Sequence, residues 1–341
     1  MSFKRIILHA GLSKTGTTSV QANCDRYREL LAKYGANYPR FSFRGRAFEN
    51  HSIPLTLSVS RRPGRYALGL RKQYGDDLDE LIATCDAQLQ AVLDAGGDTL
   101  ILSSERIAGY AEEDLGILRD RVQPVAERFS VLLYLRSPFE LLESILQERA
   151  KAGSVVDPLE IAGRSKRRYL LMQAAFGASL QVVNYHRAQQ EAGGLVAGFF
   201  RYCGLPSTAL EGIDFGLANR RMSWEAYLLM DAVNRAYPHR EQSRHGVERS
   251  PGDLRVLGQL PGQRFAFPWE QASPTYQACL AEYEWFQHEL GQEFPSPPQL
   301  GPSPLWQDNT RAALPTALGA ISSLPIRNFL LDYLRDNDVE I

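Results

Sequence analysis

The sequence has little net charge, few cysteines and no long hydrophobic run. Its 38 basic and 39 acidic residues give a net charge of −1, so the cationic excess of a nucleic-acid-binding domain is missing. The four cysteines lack the spacing of a zinc site, which favours free thiols in a reducing compartment. No run approaches the roughly 20 apolar residues of a membrane span, and we expect no signal peptide, because a strand-like run begins almost at once. We therefore expect a cytoplasmic protein with no nucleic-acid partner and no integral membrane segment.

Lysine is also scarce, with six lysines against 32 arginines. One of the six, Lys14, lies in the stretch GLSKTGTTS at residues 11–19. This stretch resembles a Walker A phosphate loop, but the lysine stands two residues before the second glycine, and Thr17 occupies the usual lysine position. A compact ammonium group in an arginine-rich protein indicates a point-charge role on a phosphate-like group.

The surroundings of residues 11–19 are those of a strand-to-helix turn. The apolar run at residues 6–8 precedes them, and a helical pattern that ends near Gly35 follows them. The free amides at the start of a helix bind anions, and Thr17, Thr18 and Ser19 add hydroxyl donors. The stretch therefore predicts an anion site.

Apolar runs alternate with amphipathic helical segments along the chain. The runs are 4–9, 98–103, 130–135 and 179–185; the helical segments include 76–95, 112–129 and 324–336. This alternation predicts an α/β fold, a P-loop-like three-layer sandwich with a central, mainly parallel sheet flanked by helices. We expect a single domain over residues 1–341, with a loop-rich insertion at about 36–75 and a polar loop at about 238–275. Ligands bind such sheets beyond the carboxyl ends of the strands.

A second pair of residues suits an anion at the same edge. Arg136 directly follows the run at 130–135, and Ser144 lies eight residues later on a helix that is predicted to begin near Pro138. The two side chains can hold one phosphate between them, the arginine through a forked charge-assisted contact and the serine through its hydroxyl.

The stretches HAGLSKTGTTSVQ and YLRSPFELLESILQ together resemble the sulfotransferases that use 3′-phosphoadenosine-5′-phosphosulfate (PAPS), and most closely their bacterial, carbohydrate-type members. The resemblance covers roughly the first 150 residues, with the run at 179–185 as further support. It implies sulfuryl transfer without a metal, from PAPS to a hydroxyl-bearing small-molecule or saccharide acceptor, with adenosine 3′,5′-bisphosphate as the product. It also implies that Arg136 and Ser144 bind the 3′-phosphate and that Tyr185 lies near the adenine. The residues that it assigns to the 5′-phosphosulfate are Lys14, Thr15, Gly16, Thr17 and Thr18, and Ser19 follows directly.

The chain departs from that family at two points. Ser19 stands where many cytosolic members have an aromatic residue that stacks on the adenine. The late Arg-Lys-Gly loop of the family is missing, and an arginine at 220–221 or 240–264 is a candidate substitute.

The base that takes the acceptor's proton has two candidates. Glu105 follows the run at 98–103, so it should lie at the carboxyl edge of the sheet beside both anion sites. His51 lies in the predicted insertion and has the ordinary pKa of a base. The sequence leaves the choice between them open, as it does the acceptor and the oligomeric state.

Two other functions compete with the sulfotransferase interpretation. A P-loop kinase for small molecules would share the loop, but the displaced lysine argues against it. A non-catalytic carbohydrate- or nucleotide-binding protein could keep the same fold. Thermal stability with nucleotides, with and without Mg²⁺, separates these alternatives.

Overall fold

The computed structural model describes residues 2–12, 14–61, 70, 77–216, 221–238, 247, 251–299 and 306–339. The chain divides into two compact units, each built from three segments. The first unit comprises Met1–Arg136, Arg164–Ala218 and Phe286–Phe294; the second comprises Ser137–Gly163, Asn219–Trp285 and Pro295–Ile341. The single domain expected from the sequence therefore stays a prediction.

The strands form one five-stranded sheet and one short hairpin. They are β1 (Phe3–His9), β2 (Ala36–Asn37), β3 (Ser42–Phe43), β4 (Arg46–Ala47), β5 (Gly97–Ser103), β6 (Phe129–Leu135) and β7 (Leu180–Asn184). The sheet has the order β2-β5-β1-β6-β7, and every neighbouring pair in it is parallel. The four strands predicted from apolar runs are all present, with bounds within one residue of the predicted ones.

Fifteen α-helices lie in the described residues. They are α1 (Thr17–Arg26), α2 (Arg28–Lys33), α3 (Ser52–Val59), α4 (Leu78–Ala95), α5 (Glu112–Val122), α6 (Pro138–Lys151), α7 (Pro158–Ile161), α8 (Arg164–Phe176), α9 (Tyr185–Gln190), α10 (Gly194–Tyr202), α11 (Trp224–Ala236), α12 (Pro251–Leu257), α13 (Pro274–Leu290), α14 (Asp308–Gly319) and α15 (Leu324–Asp336).

Both faces of the sheet are buried. Ile7 on β1 packs in one apolar cluster with Val20 of α1 and Phe199 of α10. The opposite face carries residues such as Leu8, which is also fully buried, and Phe176 of α8 meets Phe129 of β6 there at 6.0 Å between ring centroids. Strands that are buried on both faces form near-continuous apolar runs, which is why the sequence revealed them. The predicted α/β fold with a parallel sheet flanked by helices is confirmed.

The predicted helix after the first loop is divided into two. It pauses at Tyr27 (φ −106°, ψ 30°) and resumes as α2. Gly35 then ends it with φ 77°, the left-handed conformation expected of a C-terminal glycine. The chain enters β2 at the next residue.

The predicted insertion at 36–75 contains regular structure as well as loops. β2 adds to the main sheet beside β5, β3 and β4 form the hairpin, and α3 is almost wholly buried. Two-residue strands have no periodicity to detect, so the sequence could not reveal them. Residues 62–69 and 71–76 lie outside the described part of the chain, as do 239–246 and 248–250 of the predicted polar loop; α12 occupies part of the rest of that loop.

The second unit has its own apolar core. Leu229 and Val233 of α11 pack there with Leu257 of α12 and Leu330 of α15. The last helix has the predicted bounds. Among the described residues, no helix combines the length and apolarity that crossing a bilayer requires.

Candidate functional site

The carboxyl ends of four parallel strands meet at one edge of the sheet. His9 of β1 is in register with Ser103 of β5 and with Leu132 of β6, and Leu135 is in register with Asn184 of β7. The segments that leave this edge are therefore neighbours, as the sequence predicted for the residues after each strand.

The loop after β1 folds tightly around Gly11. A Cβ atom at Gly11 would lie 1.9 Å from Thr17 Oγ1 and 3.2 Å from Thr15 Oγ1, so a larger residue there would force the Thr17 side chain to move. Thr15 is fully buried, and its hydroxyl donates to the Leu12 carbonyl at 2.5 Å. These contacts close the loop on itself and direct its backbone towards the start of α1. Ser13 lies outside the described residues.

The same loop contains two residues with positive φ. Gly16 (φ 80°) is the N-cap of α1, and a Cβ there would also approach Leu195 Cδ2 to 2.5 Å. Lys14 has φ 66°, a conformation that costs a non-glycine residue about 1–3 kcal/mol. Arg136 holds it there, because its Nη1 donates to the Lys14 carbonyl at 3.1 Å. The loop is therefore held in shape before any ligand arrives.

The start of α1 presents donors without partners in the described chain. The first intrahelical bond runs from the Val20 amide to the Gly16 carbonyl, so the amides of Thr17, Thr18 and Ser19 precede the helical ladder. No side chain of the described residues caps this helix. Thr17 is 2% exposed, and its Oγ1 is buried without a hydrogen-bond partner among those residues. Buried polar groups are rarely left unpaired, so this donor set fits an anion.

Arg136 and Tyr185 lie beside this loop. Arg136 is 6% exposed, and its guanidinium carbon is 5.1 Å from the centre of the Tyr185 ring. A Cβ at Gly16 would be 3.6 Å from Tyr185 Cε2, which places the half-buried tyrosine against the loop. The structure thus brings together Lys14, Gly16, Thr17, Arg136 and Tyr185 of the predicted set.

Ser144 is half-buried on α6, which belongs to the second unit, whereas Arg136 belongs to the first. The predicted pairing of the two around one phosphate stays a prediction. Pro138 occupies the first turn of α6, as predicted. Of the arginines considered as substitutes for the missing Arg-Lys-Gly loop, Arg221 pairs with Glu140 at 3.5 Å. Arg220 and the arginines at 240, 244 and 249 lie outside the described residues.

Glu105 lies at the carboxyl edge, as predicted. It is exposed and comes two residues after the end of β5, while the Ser104 amide extends the ladder to the His9 carbonyl at 2.9 Å. Ser104 Oγ accepts a bond from the Arg106 amide at 3.1 Å and shapes the turn that carries the carboxylate. Glu105 therefore stays a candidate base.

His51 has a different environment from the one expected of a base. It is 2% exposed and stacks on Tyr38 at 4.0 Å between ring centroids. Its Nδ1 accepts from the Ser103 amide at 3.2 Å, which leaves the proton on Nε2 to donate to the Pro39 carbonyl at 2.8 Å. Burial lowers the pKa of His51 to about 3. Both nitrogens are thus engaged within the protein, and this geometry favours a structural role over proton transfer.

Two residues at this edge had no signal in the sequence. Gln21 on α1 is buried, and its Nε2 donates to the Ser103 carbonyl at 2.9 Å. Leu195 covers Gly16 from α10. A glutamine inside a helix and a leucine at a helix start are too common to stand out. Only the fold shows what they contact.

Solved structures that resemble this chain include the following three. The sulfotransferase from Alicyclobacillus acidocaldarius shares 15% identity over 63% of this chain and 85% of that chain, with a TM-score of 0.36. The sulfotransferase domain from the curacin biosynthetic pathway shares 13% identity over 86% and 99% of the two chains, also with a TM-score of 0.36. A chain of the PezAT chromosomal toxin-antitoxin system of Streptococcus pneumoniae shares 14% over 69% and 86%, with a TM-score of 0.26. No family model and no curated protein matches the sequence. Similarity at this level carries no argument about activity. The function is therefore argued from the residues of the site.

Proposed function

We propose that this protein is a sulfotransferase that moves a sulfuryl group from PAPS to a hydroxyl of a carbohydrate or glycolipid-type acceptor. The observation that carries the proposal is the loop from Gly11 to Thr17. It has a lysine upstream of the turn and a backbone held in the left-handed conformation at Lys14 and Gly16. It also has a buried hydroxyl at Thr17 that has no partner among the described residues. Such a loop suits an anionic group whose leaving oxygen gains charge during the reaction.

The donor set fits the phosphosulfate end of PAPS. The α1 amides, the Thr17 hydroxyl and the Lys14 ammonium would hold that end. Arg136 and Ser144 would hold the 3′-phosphate, and Tyr185 would contact the adenine, as the family resemblance implies. When bound, PAPS would supply a sulfuryl group that is attached to a phosphate, and the phosphate is the leaving group.

Two side chains would then act on the reaction itself. Lys14 stabilises the charge that develops on the leaving oxygen, which is an interaction stronger in the transition state than in the ground state. Glu105 accepts the proton of the attacking hydroxyl. The register of His9 with Ser103 supports this pairing of roles. The loop with Lys14 follows His9, and Glu105 follows Ser103, so the two segments leave neighbouring strands at the same edge.

Thermal unfolding with nucleotides tests the proposal against its two competitors. Adenosine 3′,5′-bisphosphate should stabilise the protein without Mg²⁺, by about 2.7 kcal/mol at one hundred times its Kd. Stabilisation only by ATP with Mg²⁺ would favour a kinase instead. An acceptor screen with ³⁵S-labelled PAPS then measures turnover, and nucleotide binding without transfer to any acceptor would favour the non-catalytic protein.

A further inference from the structure

Ser103, the last residue of β5, is bound by three side chains from three different elements. Its amide donates to His51 Nδ1 at 3.2 Å, its carbonyl accepts from Gln21 Nε2 at 2.9 Å, and its Oγ pairs with His9 Nδ1 at 2.8 Å. All four residues are buried, with at most 3% of any of them exposed. Every polar group of this one residue is therefore satisfied by a side chain.

The arrangement follows from the end of the sheet. β2 covers the outer edge of β5 only as far as the pair Asn37 and Leu100. The amide and carbonyl of Ser103 face that uncovered edge, since the next amide, that of Ser104, points the other way to the His9 carbonyl. Buried backbone groups need hydrogen-bond partners. His51 and Gln21 provide the acceptor and the donor that backbone groups of a longer β2 would otherwise provide.

These side chains connect the loop to the turn that carries Glu105. His9 comes two residues before Gly11, and Gln21 lies on α1, the helix that the loop begins. Glu105 follows Ser103 by two residues. Ser103 is therefore the residue through which the loop and α1 contact the strand end that leads to Glu105.

We propose that Ser103 is the anchor that fixes Glu105 relative to the loop, and that Gln21 and His51 are positioning residues. This rests on the sulfotransferase function proposed above. A displacement of about 1 Å at a reacting group costs on the order of 100-fold in rate, so an anchor at this point controls the rate without contacting the substrate.

Gln21→Met tests the anchor, because it keeps the length of the side chain and removes the donor to Ser103. We expect kcat to fall roughly 10- to 100-fold while the Kd of adenosine 3′,5′-bisphosphate stays within about twofold. In a Glu105→Gln background, the same change should lower kcat by no more than about twofold, because its effect passes through Glu105.

Gln88→Met is the matched control. Gln88 also donates its Nε2 to a strand carbonyl, that of Ser42, at 2.7 Å, and it lies in the same unit. The Gln88→Met variant should have a lower melting temperature than wild type and an unchanged kcat. If Gln21→Met is not recovered folded, Ser103→Ala removes only the hydroxyl that His9 holds, and it should show the same split between kcat and Kd.

A fall in kcat for Gln21→Met that persists undiminished in the Glu105→Gln background would overturn the proposal, as would an unchanged kcat. Amide hydrogen exchange separates this outcome from failure of the proposed function, since it needs neither donor nor acceptor. Exchange at residues 103–106 should be at least about tenfold faster in Gln21→Met than in Gln88→Met. Equal exchange would overturn the anchor even if the enzyme transfers sulfuryl groups, and faster exchange would support it even if no transfer is detected.

Discussion

Two strand-to-helix junctions at the carboxyl edge of the sheet differ in how their helix starts are satisfied. After β7, the Asn184 side chain accepts bonds from the His186 and Arg187 amides at 3.0 and 3.1 Å, so the chain caps its own helix. After β1, the N-cap is Gly16, which has no side chain, and no other described side chain takes its place. We call the β7 junction closed, because the chain caps its own helix there, and the β1 junction open, because no described side chain caps the amides at its helix start.

This difference supports the anion site that is proposed at the start of α1. The buried Thr17 hydroxyl has no partner within the part of the chain that the structure describes, which costs roughly 1–3 kcal/mol, and the αL conformation of Lys14 adds to that cost. The ordinary remedy, an asparagine or serine at the N-cap, is present at β7 and missing at β1. A binding site explains why the cost is tolerated at one junction only, because an anion would remove it.

The largest effect should come from Glu105→Gln, on the β5 turn next to the open junction. The amide keeps the shape of the side chain but cannot accept the acceptor's proton, so kcat should fall by about 100- to 10,000-fold while nucleotide affinity is unchanged. Glu293→Gln makes the same substitution beside the closed junction, where Glu293 pairs with Arg187. Its kcat should stay at the wild-type value. Equal kcat values for the two variants and the wild type, measured where chemistry limits the rate, would remove Glu105 from the mechanism.

Lys14→Ala should lower kcat by about 100- to 1,000-fold and change the Kd of adenosine 3′,5′-bisphosphate much less, because in the proposed mechanism the ammonium acts on the developing charge. Lys14→Gly separates the side chain from the backbone. Its kcat should match that of the alanine variant, and it should be at least as stable. At an ordinary position glycine is the less stable by about 0.5–1 kcal/mol, but here it relieves the positive φ. Near-normal turnover in either variant would contradict the role of Lys14.

The sequence predicted the sheet well because its strands are long, apolar and buried on both faces. β1, β5, β6 and β7 all follow from such runs. β2 could not be predicted in this way, because a strand of two residues shows no periodicity. Its position depends on its pairing with β5, which begins at the Gly35 carbonyl. The first helix divides at Tyr27, where no glycine or proline indicates a break, so the sequence did not predict the division. Local pattern thus predicts elements, whereas short elements depend on contacts that are distant in sequence.

The site shows the same limit. The β1 loop and Glu105 could be placed from the sequence because each directly follows a recognisable strand. His51 was a candidate because of its residue type, and only the fold reveals that Ser103 and Pro39 occupy its ring nitrogens. The bond from Arg136 to the Lys14 carbonyl joins residues 122 positions apart, which no motif encodes.

Arg136→Ala should have the next largest effect. Wild type should prefer adenosine 3′,5′-bisphosphate over adenosine 5′-phosphate, and calorimetry should show this preference reduced by roughly 1.5–3 kcal/mol in the variant. Both nucleotides should also bind more weakly, because the loop loses the bond on Lys14. Arg136→Lys keeps the positive charge but loses the forked guanidinium, so its preference between the two nucleotides should lie between those of wild type and Arg136→Ala. An unchanged preference would mean that another cation binds the 3′-phosphate.

The smallest effects should come from substitutions at the two junctions themselves. One should change the stability of the protein, and the other its affinity for the nucleotide. Asn184→Ala removes a cap that is filled in the free protein, so it should lower the free energy of unfolding by about 0.5–2 kcal/mol and leave nucleotide affinity unchanged. Thr17→Val removes a hydroxyl that has no partner among the described residues of the free protein and replaces it with a methyl group of similar size. The variant should therefore be as stable as wild type or more stable, yet bind adenosine 3′,5′-bisphosphate more weakly, by roughly 0.5–1.5 kcal/mol for one lost hydrogen bond. Chemical denaturation and calorimetry on both variants give the four values needed. If Thr17→Val instead lost stability and kept its affinity, the hydroxyl would be serving the fold, and the contrast between an open and a closed junction would no longer locate the ligand.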